Sequence, residues 1–115
     1  MFTKIMTPVD LLHIGDLGKG LQCGADLARL YDASVVYVGV TSTAPGAAAH
    51  NPAEYAAKLA DFAAVQADKH GIRTEARAAI SHDPTTDLDD ALLRSVTDTG
   101  ADLVVMTSHL PNLTD

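Results

Sequence analysis

The chain has 115 residues, of which 47% are apolar and only 4% aromatic. This length predicts a single domain, residues 1–115, whose core is packed mainly by alanine, valine and leucine. The 8 Lys and Arg residues against 15 Asp and Glu give a formal charge of -7. An acidic chain without a basic cluster argues against binding to nucleic acid or to an anionic membrane surface.

The cysteine content and the apolar runs predict a cytoplasmic protein. Cys23 is the only cysteine, so an internal disulfide is impossible and a reducing compartment is expected. It falls in a helical pattern, where we expect it to be buried. No apolar run reaches the roughly 18 residues that a membrane-spanning helix needs, and the N-terminus lacks the apolar segment of a signal peptide.

The first predicted elements are a strand over residues 2–9 and a helix over residues 14–31. Pro8 marks the end of the strand, because proline cannot donate to a ladder. The helix is predicted from an apolar stripe at three- and four-residue spacing, formed by Leu17, Leu21, Gly24, Ala28 and Tyr31. Its glycines indicate a helix backbone that lies close to a sheet.

A loop of small residues separates the second predicted strand from the second predicted helix. Residues 34–41 are nearly all apolar and β-branched, as in a parallel strand buried on both faces. Residues 43–51 are predicted to form the loop, and Pro52 suits the first turn of a helix that runs to about His70 and stops at Gly71. The residues expected on its buried side are Ala56, Leu59, Ala63, Ala67 and His70.

The last predicted elements are a strand, a helix and a strand. Residues 72–80 alternate cleanly, which predicts a half-exposed strand at a sheet edge. Asp83 is a predicted N-cap before Pro84, which opens a helix to about residue 99. Residues 102–107 are predicted to form a buried fourth strand. The helix residues expected to point inward are Leu88, Leu92 and Val96.

The alternation β-α-β-α-β-α-β predicts an α/β fold: an open, mostly parallel sheet with helices on both faces. A chain that ends on a buried strand leaves the outer edge of that strand bare. We therefore expect a further segment, or a partner chain, to cover it. In such sheets, ligands bind beyond the carboxyl ends of the strands, where the strand order reverses. The segments expected there are 8–10, 38–40 and 106–109.

Four segments resemble the universal stress protein family. KIMTPVD, residues 4–10, is similar to the family's opening strand, and residues 25–28 and 35–40 are similar to its first helix and second strand. Residues 100–109, GADLVVMTSH, closely resemble its fourth strand. The resemblance covers essentially the whole chain. It implies the strand order 3-2-1-4, with the family's fifth strand and last helix lacking from residues 1–115.

The resemblance also implies an adenine nucleotide site between strands 1 and 4, which would hold ATP with or without Mg²⁺. Asp10 would contact the ribose or a metal, and the backbone of Val40 would contact the adenine edge. The residues that would line the site or open the phosphate loop are Pro8, Val9, Met106, Thr107, Ser108 and His109. A stress-response role and a homodimer are further implications of the resemblance.

The phosphate loop departs from the family pattern. Thr107 and Leu110 stand where the family has glycines, and the closing glycine and hydroxyl pair is absent from these 115 residues. The stretch 108–112, SHLPN, is instead similar to a branch of the family with SHRPN. We therefore expect this chain to bind nucleotide weakly.

Other interpretations remain open from the sequence. Asp10 could cap a helix, and His109 could bond a backbone carbonyl. The cluster of Asp87, Asp89 and Asp90 suits the start of a helix rather than a metal site. The sequence has no nucleophile elbow and no serine with a neighbouring base at the spacing of a catalytic motif, so we expect no enzyme, with any ATP hydrolysis slow and incidental.

We consider three functions for a chain with this sequence. The first is a nucleotide-responsive stress or regulatory protein, and the second is a nucleotide-free module for dimerisation or for docking on a protein partner. A phospho-receiver domain is the third. It is disfavoured because Asp10 stands alone after the first strand, without the acidic cluster that a receiver needs.

Overall fold

The computed structural model describes residues 2–11, 17–41, 51–80 and 84–106, and within the last range it describes side chains from residue 90 onward. Strands and helices alternate along the chain, as predicted. The elements are β1 (Lys4–Pro8), α1 (Gly18–Tyr31), β2 (Ser34–Thr41), α2 (Pro52–His70), β3 (Thr74–Ile80), α3 (Pro84–Thr99) and β4 (Leu103–Val104).

The strands form one parallel sheet in the order β3-β2-β1-β4, which confirms the predicted topology. The β1–β2 register runs from Lys4 opposite Ser34 to Pro8 opposite Val38. The β1–β4 register is shorter and pairs Ile5 with Leu103. The strand order reverses between β1 and β4, since the chain moves from β1 outward to β3 and then returns to the other side of β1.

Helices cover both faces of the sheet. Ile5, Val35 and Tyr37 belong to one core cluster with residues of α1 and α2, and Tyr37 meets Phe62 edge to face at 5.3 Å between ring centroids. Met6 and Val38 form a smaller cluster on the other face, against α3. Alternate residues of each central strand therefore serve opposite cores, as expected for strands buried on both sides.

The ends of α2 follow the predicted signals. The Asn51 side chain accepts a hydrogen bond of 2.8 Å from the backbone N–H of Glu54, and Pro52 follows as the first helical residue. Gly71 ends the helix with φ of 65°, a left-handed conformation that glycine adopts without steric penalty. The predicted cap at Asp83 lies outside the described residues.

Two expectations about the helices are wrong. Ala56 is exposed, and the buried side of α2 is formed by Tyr55, Leu59, Phe62, Ala63 and Gln66. The alanines of α2 lie on several sides of the helix and do not by themselves indicate which side is buried. The large side chains of Tyr55, Leu59 and Phe62 determine that side. Cys23 is also exposed, because Gly24 and Ala25 beside it make the close contact with the sheet.

The predicted buried strand over residues 102–107 is also wrong in extent and burial. Among residues 102–106, which the structure describes, only Leu103 and Val104 pair as a strand, and Val104 is 37% exposed. In the described part of the chain β4 pairs with β1 alone, so its outer side has no neighbouring strand. No helix among the described residues has both the length and the apolar character needed to cross a bilayer.

A carboxylate ties β4 to β1 at the end of the sheet where both strands begin. Asp102 accepts hydrogen bonds from the backbone N–H groups of Thr3, at 3.0 Å, and Lys4, at 3.1 Å, and from the Thr3 hydroxyl, at 3.2 Å. Its own N–H donates to the Lys4 carbonyl at 3.0 Å. We call Thr3, Lys4 and Asp102 the amino edge. The backbone hydrogen bonds from Thr3 and then Lys4 lower the pKa of Asp102.

Candidate functional site

The carboxyl ends of β1 and β4 lie beside each other and point the same way. Met6 pairs with Val104, and the Val105 N–H donates to the Met6 carbonyl at 2.9 Å. The two ends on which the site prediction depends are therefore neighbours at the point where the strand order reverses. We call residues 8–10, 39–41 and 105–106 the carboxyl edge.

Pro8 is the last residue of β1, and the chain leaves the sheet through Val9 and Asp10. Pro8 is half-buried, and Val9 is only 7% exposed, with its side chain in the core between the sheet and the helices α1 and α2. The Val9 N–H donates to the Val38 carbonyl at 2.8 Å, which extends the β1–β2 pairing by one residue. Asp10 follows and is exposed. The anchored Val9 thus fixes where the Asp10 backbone leaves the sheet.

The other predicted site residues fall on β2 and after β4. Val40 is half-buried near the end of β2, opposite Ala79 of β3. Met106 is 61% exposed after β4. Thr107, Ser108 and His109 lie outside the described residues. The structure therefore brings Pro8, Val9, Asp10, Val40 and Met106 to one edge of the sheet.

A tyrosine that the sequence did not single out also lies at this edge. Tyr55, in the first turns of α2, is 4% exposed, and its ring rests on the bare Cα of Gly39 in β2. A Cβ built at Gly39 would lie 2.8 Å from Cε1 and 2.9 Å from Cζ of Tyr55, and nearer still to its hydroxyl oxygen. Any larger residue at position 39 would therefore force the ring to move.

Burial and a neighbouring charge raise the pKa of the Tyr55 phenol above that of a free tyrosine. Burial raises the pKa of Tyr55 to about 12, and the negative charge of Asp10 adds to the rise, because it opposes a second negative charge nearby. Tyr55 therefore remains a hydrogen-bond donor at neutral pH. The carboxylate of Asp10 and the hydroxyl of Tyr55 together give the carboxyl edge an acceptor and a donor.

A second polar group is buried under α1. Thr7 of β1 is 3% exposed, and its hydroxyl oxygen is the one buried side-chain polar atom without a hydrogen-bond partner among the described residues. A Cβ built at Gly24 would lie 3.5 Å from this oxygen and 4.0 Å from Cγ1 of Val105. The Thr7 side chain therefore fills the space between β1, β4 and the glycine of α1.

The described residues at this edge offer hydrogen-bonding groups of several kinds. The described residues contain no group of three or more His, Cys, Asp or Glu placed to hold a metal ion. The described groups are backbone amides and carbonyls at strand ends, the Asp10 carboxylate, the Thr41 hydroxyl and the Tyr55 phenol. They suit recognition of hydroxyl and amide groups on a small ligand.

The model of the Universal stress protein family matches residues 1–114 of this chain. Among curated protein sequences, none is similar enough to this chain to count as a match.

Solved structures with the same fold span most of the chain. A universal stress family protein from Burkholderia pseudomallei is 22% identical, with a TM-score of 0.69 over 93% of this chain and 82% of its own. A protein from Mycobacterium tuberculosis H37Rv is 18% identical, with a TM-score of 0.66 over 97% of this chain and 76% of its own. A universal stress protein in complex with cAMP is 16% identical, with a TM-score of 0.65 over 90% of this chain and 75% of its own.

Proposed function

The chain belongs to the universal stress protein family, and from this premise we propose that it binds an adenine nucleotide between β1 and β4 at the carboxyl edge. The observation that carries the proposal is the reversal of strand order at this point, with the ends of β1 and β4 held side by side. Open α/β sheets bind ligands at such reversals, because the chain leaves neighbouring strands in opposite directions and opens a crevice. One structure with the same fold is a universal stress protein in complex with cAMP, which supports a nucleotide as the ligand class.

In the proposed complex, Asp10 contacts the ribose or a Mg²⁺ ion, and the backbone of Val40 contacts the adenine. Pro8 and Val9 contribute mainly main-chain atoms, since Val9 is buried in the core. Met106 opens the phosphate loop formed with Thr107, Ser108 and His109. With Thr107 and Leu110 in place of glycines, this loop offers less room for a phosphate, so we expect ATP to bind weakly.

The proposed role is regulatory. Bound nucleotide would act through different affinities for two states of the chain, as any ligand-driven switch requires. We propose that the protein is a cytoplasmic stress-response homodimer and that it is not an enzyme, with hydrolysis of ATP slow and incidental.

Calorimetry with ATP and Mg²⁺ tests the proposed binding. We expect a saturable heat signal and a rise in melting temperature with ATP. Asp10→Asn should weaken binding about tenfold, the effect of losing one charge-assisted hydrogen bond. Asp98→Asn is the matched control, because it removes an exposed carboxylate that pairs with Arg77 rather than with the carboxyl edge. Absence of both signals at millimolar ATP would remove the nucleotide proposal.

The second candidate is a nucleotide-free module that dimerises or docks on a protein partner. The apolar residues Val104 and Met106, which are 37% and 61% exposed, favour it. Val104 lies in β4 and Met106 just after it, and among the described residues no strand pairs with the outer side of β4. Sedimentation of wild-type protein and of Val104→Lys tests this candidate. A dimer that dissociates in the variant, together with no response to ATP, would favour it over nucleotide binding.

A further inference from the structure

Tyr55 is fixed at the carboxyl edge by its packing and by its backbone. It is 4% exposed, it shares the core cluster with Val9 and Leu59, and its ring occupies the space that a side chain at position 39 would need. The N–H of Tyr55 is also fixed, since it donates to the Asn51 carbonyl at 3.1 Å in the first turn of α2. The hydroxyl therefore has a defined position beside the backbone of Gly39.

The strand register brings Asp10 to the same place. Pro8 pairs with Val38, and the N–H of Val9 donates to the Val38 carbonyl at 2.8 Å, so Val9 lies beside Gly39. Asp10 is the next residue, and it is exposed. The charge of Asp10 acts on the Tyr55 phenol, which agrees with this placement.

A protonated phenol beside a carboxylate suits one part of a nucleotide best. Neighbouring sugar hydroxyls can donate to the carboxylate and accept from the phenol, so both protein groups are satisfied. A phosphate would be repelled by the carboxylate. In the proposed complex, the edge of the adenine contacts the backbone of Val40 instead.

We infer that Tyr55 is a specificity-determining residue, whose hydroxyl acts with the Asp10 carboxylate to bind the ribose hydroxyls of the nucleotide. This inference rests on the proposed function and adds to it a residue of α2 and a preference for ribose over deoxyribose. Such a preference follows because a deoxyribose lacks one of the hydroxyl groups that would bond the phenol or the carboxylate.

Calorimetry on the wild-type protein tests the sugar preference directly, with ATP, 2′-deoxy-ATP and 3′-deoxy-ATP as ligands. We expect at least one deoxynucleotide to bind about tenfold more weakly than ATP, the effect of one lost hydrogen bond. Equal affinities for all three would overturn the inference and leave nucleotide binding intact. A protein that binds none of them overturns both proposals.

A matched pair of variants then assigns the preference to Tyr55. Tyr55→Phe keeps the ring on Gly39 and removes only the hydroxyl, so it should bind ATP and the weaker deoxynucleotide alike. Tyr37→Phe makes the same change two residues before Gly39 on β2, deep in the core at 1% exposure, and should retain the wild-type preference. If Tyr55→Phe melts like wild type and still prefers ATP, the inference is wrong.

Discussion

At the amino edge, the carboxylate of Asp102 is bonded by the main chain of Thr3 and Lys4 and by the Thr3 hydroxyl. At the carboxyl edge, a carboxylate and a protonated phenol lie at strand ends, and the buried hydroxyl of Thr7 nearby lacks a partner among the described residues. Hydrogen bonds made within the fold stabilise it, whereas polar groups held in fixed positions at strand ends can serve a ligand. We therefore propose that one end of β1 contributes mainly to stability and that the other contributes to binding.

The largest expected effect comes from filling the space under Tyr55. Gly39→Ala places a methyl group within 2.8 Å of Cε1 of the ring, so the ring or the strand must shift. We expect a loss of about 1–3 kcal/mol in the free energy of unfolding, as for other overpacked sites. Urea denaturation measures the loss, and calorimetry should show weaker ATP binding in the same variant.

The matched control for this variant is Gly24→Ala, which adds the same methyl group beside Thr7. The new atom would lie 3.5 Å from the Thr7 hydroxyl oxygen, an ordinary van der Waals distance. Alanine is favoured over glycine inside a helix by about 1 kcal/mol, so this variant should be as stable as wild type or more stable. Equal losses in the two variants would contradict the packing described at Gly39.

A smaller effect, this time a gain in the free energy of unfolding, is expected from removing the Thr7 hydroxyl. Thr7→Val replaces the buried oxygen with a methyl group of similar shape. Because the oxygen has no hydrogen-bond partner among the described residues, the variant should gain about 1 kcal/mol in the free energy of unfolding. Thermal and urea denaturation check this gain. A clear loss of stability would show that the hydroxyl has a partner in solution, such as a buried water.

The contribution of the amino edge to the free energy of unfolding should depend on pH only in the acid range. The hydrogen bonds of Asp102 lower its pKa in the folded chain below the ordinary 3.8. The stability that they contribute is complete above that value and is lost as the pH falls from it through the lower pKa of the folded state. Urea denaturation at a series of acidic pH values should therefore show a steeper loss in wild type than in Asp102→Asn. Asp98→Asn should keep the wild-type slope.

The smallest effect is expected at alkaline pH. Burial raises the pKa of Tyr37 and of Tyr55 to about 12, so each contributes stability that is complete below the ordinary value of 10.0 and is lost as the pH rises through about 12. Phenolate absorbance should show two of the three tyrosines titrating near 12. Tyr55→Phe should remove one of these late steps, and its persistence would show that Tyr55 is not the group that titrates there.

The order of the elements could be predicted from the chain, because apolar periodicity, Pro52 and Gly71 report local structure, whereas the strand order was implied by the resemblance to one family. The resemblance of residues 4–10 and 100–109 to one family then indicated the two strand ends that meet. The short β4 was not predictable in this way. The run from Leu103 to Met106 is as apolar as a buried strand, and its exposure depends on what packs outside it.

The missed parts of the site depend on contacts between distant segments. Tyr55 reaches Gly39 because α2 lies over β2, and nothing in the local pattern around Gly39 identifies Tyr55 as the residue that contacts it. Asp102 lay within a recognised motif, yet its role depends on the backbone of Thr3 and Lys4, at the other end of the chain. Gly39 was the available signal for the contact with Tyr55, since a glycine inside a strand often marks the close approach of another group.

The most direct test of the central claim is an amide chemical-shift titration of the isotope-labelled protein with ATP and Mg²⁺. The account predicts shifts at the carboxyl edge, above all at Val9, Asp10, Val40 and Met106, and at Tyr55, while Thr3, Lys4 and Asp102 stay unchanged. Shifts centred on the amino edge, or none at saturating ATP, would contradict it.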